Sequence, residues 1–229
     1  MANKKKGNQK QSSAFTFWII GLIAVIIIGF IFLANGKDKD TAVNEIDYKS
    51  QPYLGEKSAP VQIVEFGDYK CPVCKTFEEQ FFPSIQSELI DTGKAQFYFM
   101  NYSFINVDST RSAKFAESVY QELGNDTFWK FHELLYDKQP ADLKYEKVDV
   151  FTDKFLEETL KEIANDKDVK KVVSSFKADK SEDQWNKDME VADELGVSGT
   201  PSLFVDGKKF EGNTIDDLVK MVDDAAKEK

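Results

Sequence analysis

The stretch EFGDYKCPVC holds both cysteines of the chain, Cys71 and Cys74, with Pro72 directly after the first. Two thiols at this spacing have three uses: stapling a fold, gripping a metal, or exchanging disulfides with other proteins. Stapling is a poor use, because so short a loop removes little entropy from the unfolded chain. Zinc needs four ligands, usually as two such pairs, and the chain has no second pair and one histidine, His132, on an aromatic helical stretch where packing is its ordinary role. Exchange gives each residue a task. A cysteine at a helix start faces unpaired N–H groups and the positive end of the helix dipole, which stabilise its thiolate. Cys71 is therefore the expected nucleophile. Cys74, three residues on along the same face, can attack a mixed disulfide formed at Cys71. Pro72 suits the first helical turn, since its missing N–H would be unpaired there anyway.

Two further features bear on this chemistry. Glu65 lies in an apolar run six residues ahead of Cys71. Turned inward, its carboxyl is costly to ionise and can relay the proton of Cys74; turned outward by strand alternation, it is solvated and has no role. Far downstream, GVSGTPSLFV places Thr200-Pro201 directly before a strand. A cis bond is plausible there, and such a loop packed against the cysteines leaves the backbone of Thr200 free to pair with an extended chain. By itself the dipeptide reads as a turn.

These residues need elements to bring them together. VQIVEF, Val61 to Phe66, reads as a buried strand between Pro60 and Gly67. A helix follows from the cysteines, with Phe77, Phe81, Phe82, Ile85 and Leu89 at helical spacing and a kink at Pro83. AQFYFMNY, Ala95 to Tyr102, is a second strand, parallel to the first through a right-handed crossover. From Asp108 to Leu195 the periodicity is helical, with stripes such as Val169, Val172, Val173 and Phe176, and Trp185, Met189 and Ala192. SLFVDGKKF is a hairpin around Asp-Gly, and Thr214 with Asp217 opens a closing helix. No repeats or low-complexity tracts interrupt this order.

The N-terminal part sets the compartment. FTFWIIGLIAVIIIGFIFLA, residues 15–34, is uncharged and long enough, at about 20 residues, to cross a bilayer as a helix. It is longer than the apolar core of a cleaved signal peptide and ends without a small-residue cleavage pattern. Lys4, Lys5, Lys6 and Lys10 precede it, so the positive-inside rule puts residues 1–14 in the cytoplasm and everything after residue 34 outside, where disulfides persist. Residues 35–58 read as a polar tether, 59–107 as the first α/β half, 108–195 as a helical insertion and 196–229 as the second half. The formal net charge of −10 argues against nucleic acid or an anionic membrane surface as a partner. No Gly-rich phosphate loop marks a flavin or nicotinamide site.

Taken together, APVQIVEFGDYKCPVC and the distant GVSGTPSLFVDGKKF resemble the DsbA-like thiol-disulfide oxidoreductases, and DTFWKFHELLY is similar to a helix common in their insertion. The resemblance runs from about Ala59 to the C-terminus, and the N-terminal anchor fits the membrane-tethered Gram-positive, BdbD-type branch. It implies an α/β thioredoxin-like fold split by a helical domain, with a cis-proline loop facing the active site. Cys71 is then the exposed attacking cysteine, Cys74 the buried resolving one, Glu65 the buried acid, and Thr200 with Pro201 the substrate-binding loop. Val73 departs from the pattern, since DsbA carries there a histidine that helps stabilise the thiolate. Some Gram-positive members hold a structural calcium ion, which here would nominate Gln51, Glu117 and Asp183 as oxygen donors. The implied activity is oxidation of unfolded exported proteins with free thiols, by a monomer that needs no redox cofactor of its own and is recharged by a DsbB-like, quinone-linked membrane partner. Two alternatives stay open: an exported reductase or isomerase, whose couple would lie near thioredoxin's roughly −270 mV, and a tethered peptide-binding chaperone in which the cysteines are incidental.

Overall fold

The structure is a computed structural model that describes residues 46–229. The expected cytoplasmic tail, membrane helix and first part of the tether lie outside the described residues. Among the described residues no helix is long and apolar enough to cross a membrane.

A five-stranded mixed sheet, in the order β1-β3-β2-β4-β5, carries the chemistry. At its centre, β2 (Val61–Gly67) runs parallel to β3 (Ala95–Asn101), with Glu65 opposite Phe99. On its other side β2 pairs antiparallel with β4 (Ser202–Val205), Glu65 opposite Leu203. The hairpin β4–β5 (Lys208–Lys209) turns at Asp206 and Gly207, both with positive φ, as an Asp-Gly two-residue turn requires.

Both faces of this sheet are covered, and that decides Glu65. Val61 and Ile63 join Phe97, Phe99 and the helical residues Phe115, Phe128 and Phe131 in one core. Val64 and Phe66 join Tyr98, Met100, Ala192 and Phe204 in a second core on the other face. Alternation therefore turns Glu65 into an apolar core rather than to water, and the carboxylate is 0 % exposed.

Helix α1 (Pro72–Gln80) starts at Cys71, breaks at Phe81, and continues as α2 (Phe82–Ile85), with Pro83 in its first turn, into a wider π-type turn, Gln86–Ile90. The insertion comprises α3 (Val107–Leu123), α4 (Asn125–Lys138), α5 (Asp153–Lys161), α6 (Asp166–Lys177) and α7 (Glu182–Glu194). Thr152 caps α5 through a bond from Phe155 N, and Leu156 and Leu160 fix its inner face. Closing helix α8 (Ile215–Lys227) opens with the expected reciprocal Thr214–Asp217 cap.

The reading of residues 35–58 as a tether is corrected for the part described. Residues 46–58 pack onto the domain: Ile46 is buried, Tyr48 stacks at 4.5 Å on Tyr98, and β1 (Tyr53–Leu54) pairs with β3. Asn125 grips Tyr53 on both sides, accepting from its N–H at 2.9 Å and donating to its carbonyl at 2.8 Å. A two-residue strand carries no period of its own, so nothing in the local pattern separates it from a polar linker.

Candidate active site

Cys71 is the N-cap of α1, in extended conformation, and its sulfur accepts the N–H of Cys74 at 3.4 Å. On its other side the thiol donates to the Thr200 carbonyl at 3.2 Å, and the Thr200–Pro201 bond is cis. The structure thus brings residues 129 positions apart into contact across the start of one helix. The expectation that Cys71 is exposed needs correction: it is only 5 % exposed, because the Thr200-Pro201 loop lies against it. Access to the sulfur runs past that loop.

The two cysteines differ in acidity. The Cys71 thiol is lowered to about 6, first by the hydrogen bond that the Cys74 side chain offers its sulfur, then by the Thr200 hydroxyl and the N–H groups of Cys74 and Val73, with burial opposing. Thr200 Oγ1 is buried and makes no hydrogen bond, which leaves its proton free for the Cys71 thiolate. Cys74, 0 % exposed, is pushed well above the usual thiol range by burial first, then by the bond it gives Cys71 and by the nearby Glu65 charge. Backbone donors and the second thiol therefore supply what a histidine at the position of Val73 would have supplied; Val73 itself is 61 % exposed.

Glu65 lies behind this pair. Burial pushes its carboxyl well above the usual range, and the Glu78 carboxyl and the Cys71 sulfur push the same way. Neither Glu65 oxygen has a hydrogen-bond partner. Two ionised carboxylates offer only acceptors, so a bond between Glu65 and Glu78 forms only when one of them holds a proton. Tyr69, Phe99 and Tyr136 close the pocket, and a Cβ at position 67 would collide with the Phe99 ring, which keeps that strand end glycine.

An open groove of roughly 830 Å³ runs alongside, between Val73, Thr76, Phe77 and Phe81 of the helix side and Thr200, Pro201, Phe210 and Asn213 of the loop side. Its far wall was not legible locally, since Phe210 to Asn213 form irregular chain after the hairpin.

The nominated metal ligands part company. Gln51 and Glu117 meet in a buried cluster, but Asp183 is exposed, and the α7 carboxylate present there is Asp188. Five helical residues rotate a side chain by about 140°, so Asp183 and Asp188 cannot share a face. Gln51 Nε2 donates to Asp188 Oδ1 at 2.7 Å, Asn101 N–H to Asp188 Oδ2 at 2.9 Å, and Asn101 Nδ2 to Glu117 Oε1 at 2.8 Å. Gln51 Oε1, Asn101 Oδ1 and Glu117 Oε2 remain buried without partners. Burial pushes Asp188 up to about 6 and Glu117 well above its usual range. Two carboxylates and two amide oxygens suit a hard cation such as calcium. Among the described residues no group of three or more His, Cys, Asp or Glu is placed to hold a metal.

Two sulfurs held at opposite ends of the thiol range, one at a helix start and one sealed behind it, are built to pass a disulfide on; on this sheet they make the molecule a thiol-disulfide oxidoreductase of the thioredoxin-like class. Residues 47–224 match the family profile described as Thioredoxin. The chain is 34 % identical to a probable disulfide bond formation protein D of Bacillus anthracis, covering 90 % of this chain and 92 % of that one. It is 36 % identical to disulfide bond formation protein D of Bacillus subtilis over 79 % of each. The oxidised crystal structure of BdbD from Bacillus subtilis superposes with a TM-score of 0.71 at 32 % identity, covering 80 % of this chain and 96 % of that one. The chain belongs to the disulfide bond formation protein D family.

Proposed function

We propose that this protein is a membrane-anchored, extracytoplasmic dithiol oxidase that introduces disulfides into exported proteins. The observation that carries it is the inequality of the two thiols: Cys71 caps the helix start against the cis Thr200–Pro201 bond and is lowered to about 6, whereas Cys74 is sealed behind it and pushed well above the usual thiol range. A client thiolate attacks the Cys71 sulfur of the Cys71–Cys74 disulfide, and that bond breaks with its electron pair going to Cys74. A second client thiol then attacks the client sulfur of the mixed disulfide, releasing Cys71 as a stabilised thiolate. Good leaving ability at Cys71 makes the couple oxidising. The Thr200-Pro201 backbone and the adjoining groove receive the client as an extended segment, with exposed Val73 offering apolar contact. The direct test is whether the disulfide form of the full chain oxidises a reduced, unfolded protein and comes out as dithiol; an enzyme that instead reduces a disulfide-bonded client under the same conditions runs the other way.

The anchor at residues 15–34, the placement of the catalytic domain outside the membrane, the monomeric state and recharging by a quinone-linked membrane oxidoreductase belong to the same reading. No redox cofactor is required in this chain. Calcium, held by Gln51, Asn101, Glu117 and Asp188, would neutralise two buried carboxylates and tie α3 and α7 to β3. Binding to the folded state alone stabilises by RT ln(1 + [L]/Kd), about 2.7 kcal/mol at a hundredfold excess over Kd. Calcium is therefore expected to raise the melting temperature by several degrees and a chelator to lower it, with Asp188→Asn removing the response. A melting temperature indifferent to calcium contradicts the assignment.

A further inference from the structure

Cys74 must take up a proton as it leaves and give it up again when the pair is recharged, yet neither Cys74 nor Glu65 has any exposure to water. The next carboxyl outward is Glu78, one turn beyond Cys74 on α1, whose side chain is 9 % exposed. Glu78 acts on Glu65 from one side. On the other, its Oε1 lies 3.2 Å from His132 Nε2, and His132 Nδ1 lies 3.1 Å from the Tyr69 hydroxyl. His132 is 1 % exposed and packed against Phe99, Trp129 and Tyr136, so its ring cannot turn away. A tyrosine hydroxyl can either donate or accept, so it serves the imidazole with or without a second proton.

We propose that Glu78 carries the proton between Glu65 and solvent, and that His132, fixed by Tyr69, is the positioning residue that holds the Glu78 carboxyl in reach. This rests on the oxidoreductase reading. When the client thiolate takes the Cys71 sulfur, the sulfur–sulfur bond breaks and the electron pair goes to Cys74. A proton passes from Glu65 to Cys74, from Glu78 to Glu65, and from water to Glu78; recharging runs the transfers in reverse. No oxidant beyond the protein's own disulfide is consumed. The other groups facing this route are Cys71 at the start of α1 and Tyr136 from α4, with Glu117 of α3 and Asp188 of α7 acting on Tyr69 from farther off. Lys75, also on α1, is engaged with the carbonyls of Tyr136 and Asp137 and with Glu79.

The test loads glutathione onto Cys71 of the full-length protein and follows its release by Cys74 between pH 5 and 9. Glu78→Gln is expected to slow release about tenfold at pH 7 and to move the pH–rate profile to higher pH, within the range ordinary for general acid–base groups. His132→Gln moves it the same way by less, and Glu78→Asp restores part of the rate. The alkylation midpoint of Cys71 stays near about 6 in all three. A profile that superimposes on that of the parent, or a rate lowered equally at every pH, overturns the relay alone. A parent that forms no mixed disulfide overturns the oxidoreductase reading with it.

Discussion

Cys71→Ser is expected to abolish disulfide transfer to a reduced, unfolded client, leaving only the uncatalysed background. The loss is total because the attacked sulfur is the reaction centre and the one cysteine left, Cys74, is fully buried. Cys74→Ser behaves differently: Cys71 keeps the N–H groups of Cys74 and Val73 and the Thr200 hydroxyl, so it still reacts, but its mixed disulfides have no internal thiol to resolve them. Non-reducing gels of the full chain with oxidised glutathione and a client should show adducts accumulating on Cys74→Ser and none on Cys71→Ser. A Cys71→Ser protein that keeps full activity would favour a cysteine-independent chaperone.

The second large effect is on stability. Lys70, next to the nucleophile, is buried against Asp108 with Nζ 3.1 Å from Oδ2. The ammonium also donates to the carbonyls of Tyr145 at 2.7 Å and Val148 at 2.9 Å, and lies 5.3 Å from the centre of the Phe151 ring. Asp108 in turn accepts the N–H groups of Val150 and Phe151. Lys70→Met leaves a buried carboxylate without its cation and two carbonyls unpaired, a change that typically costs about 3–5 kcal/mol. Urea unfolding should show that loss, with Lys70→Met/Asp108→Leu less destabilised than the single variant after allowing for the two lost backbone bonds. A cost below about 1 kcal/mol for the single variant contradicts a fully buried pair.

Much of this architecture is legible in the residues. Val61–Gly67, Ala95–Asn101 and the Asp206-Gly207 hairpin carry their signals in β-branched, aromatic and turn residues, and the cysteines follow the first strand closely enough to fix their place at a helix start. The rest depends on partners far along the chain. Glu65 faces inward because Asp108 to Leu195 folds back over the sheet, which strand alternation alone does not reveal. Asp188 rather than Asp183 meets Gln51 because of the phase of α7 set by Ala192. His132 reads as a packing residue, and it does pack; its bonds to Glu78 and Tyr69 come from three separate elements. Glu78 alone left a local trace, four residues after Cys74 on the same helical face.

The acidity of Cys71 also sets a pH dependence. A thiol lowered from its unfolded value contributes stability to the reduced protein that is present above the unfolded pKa and lost as pH falls through about 6. The disulfide form has no such dependence, so as pH falls through about 6 the couple loses its oxidising advantage over an ordinary dithiol couple.

The most direct measurement is the rate of alkylation of Cys71 in the reduced full chain as a function of pH. The account predicts a midpoint near about 6, well below that of free cysteine. A midpoint at or above roughly 8.5, the value for an unperturbed thiol, would contradict it.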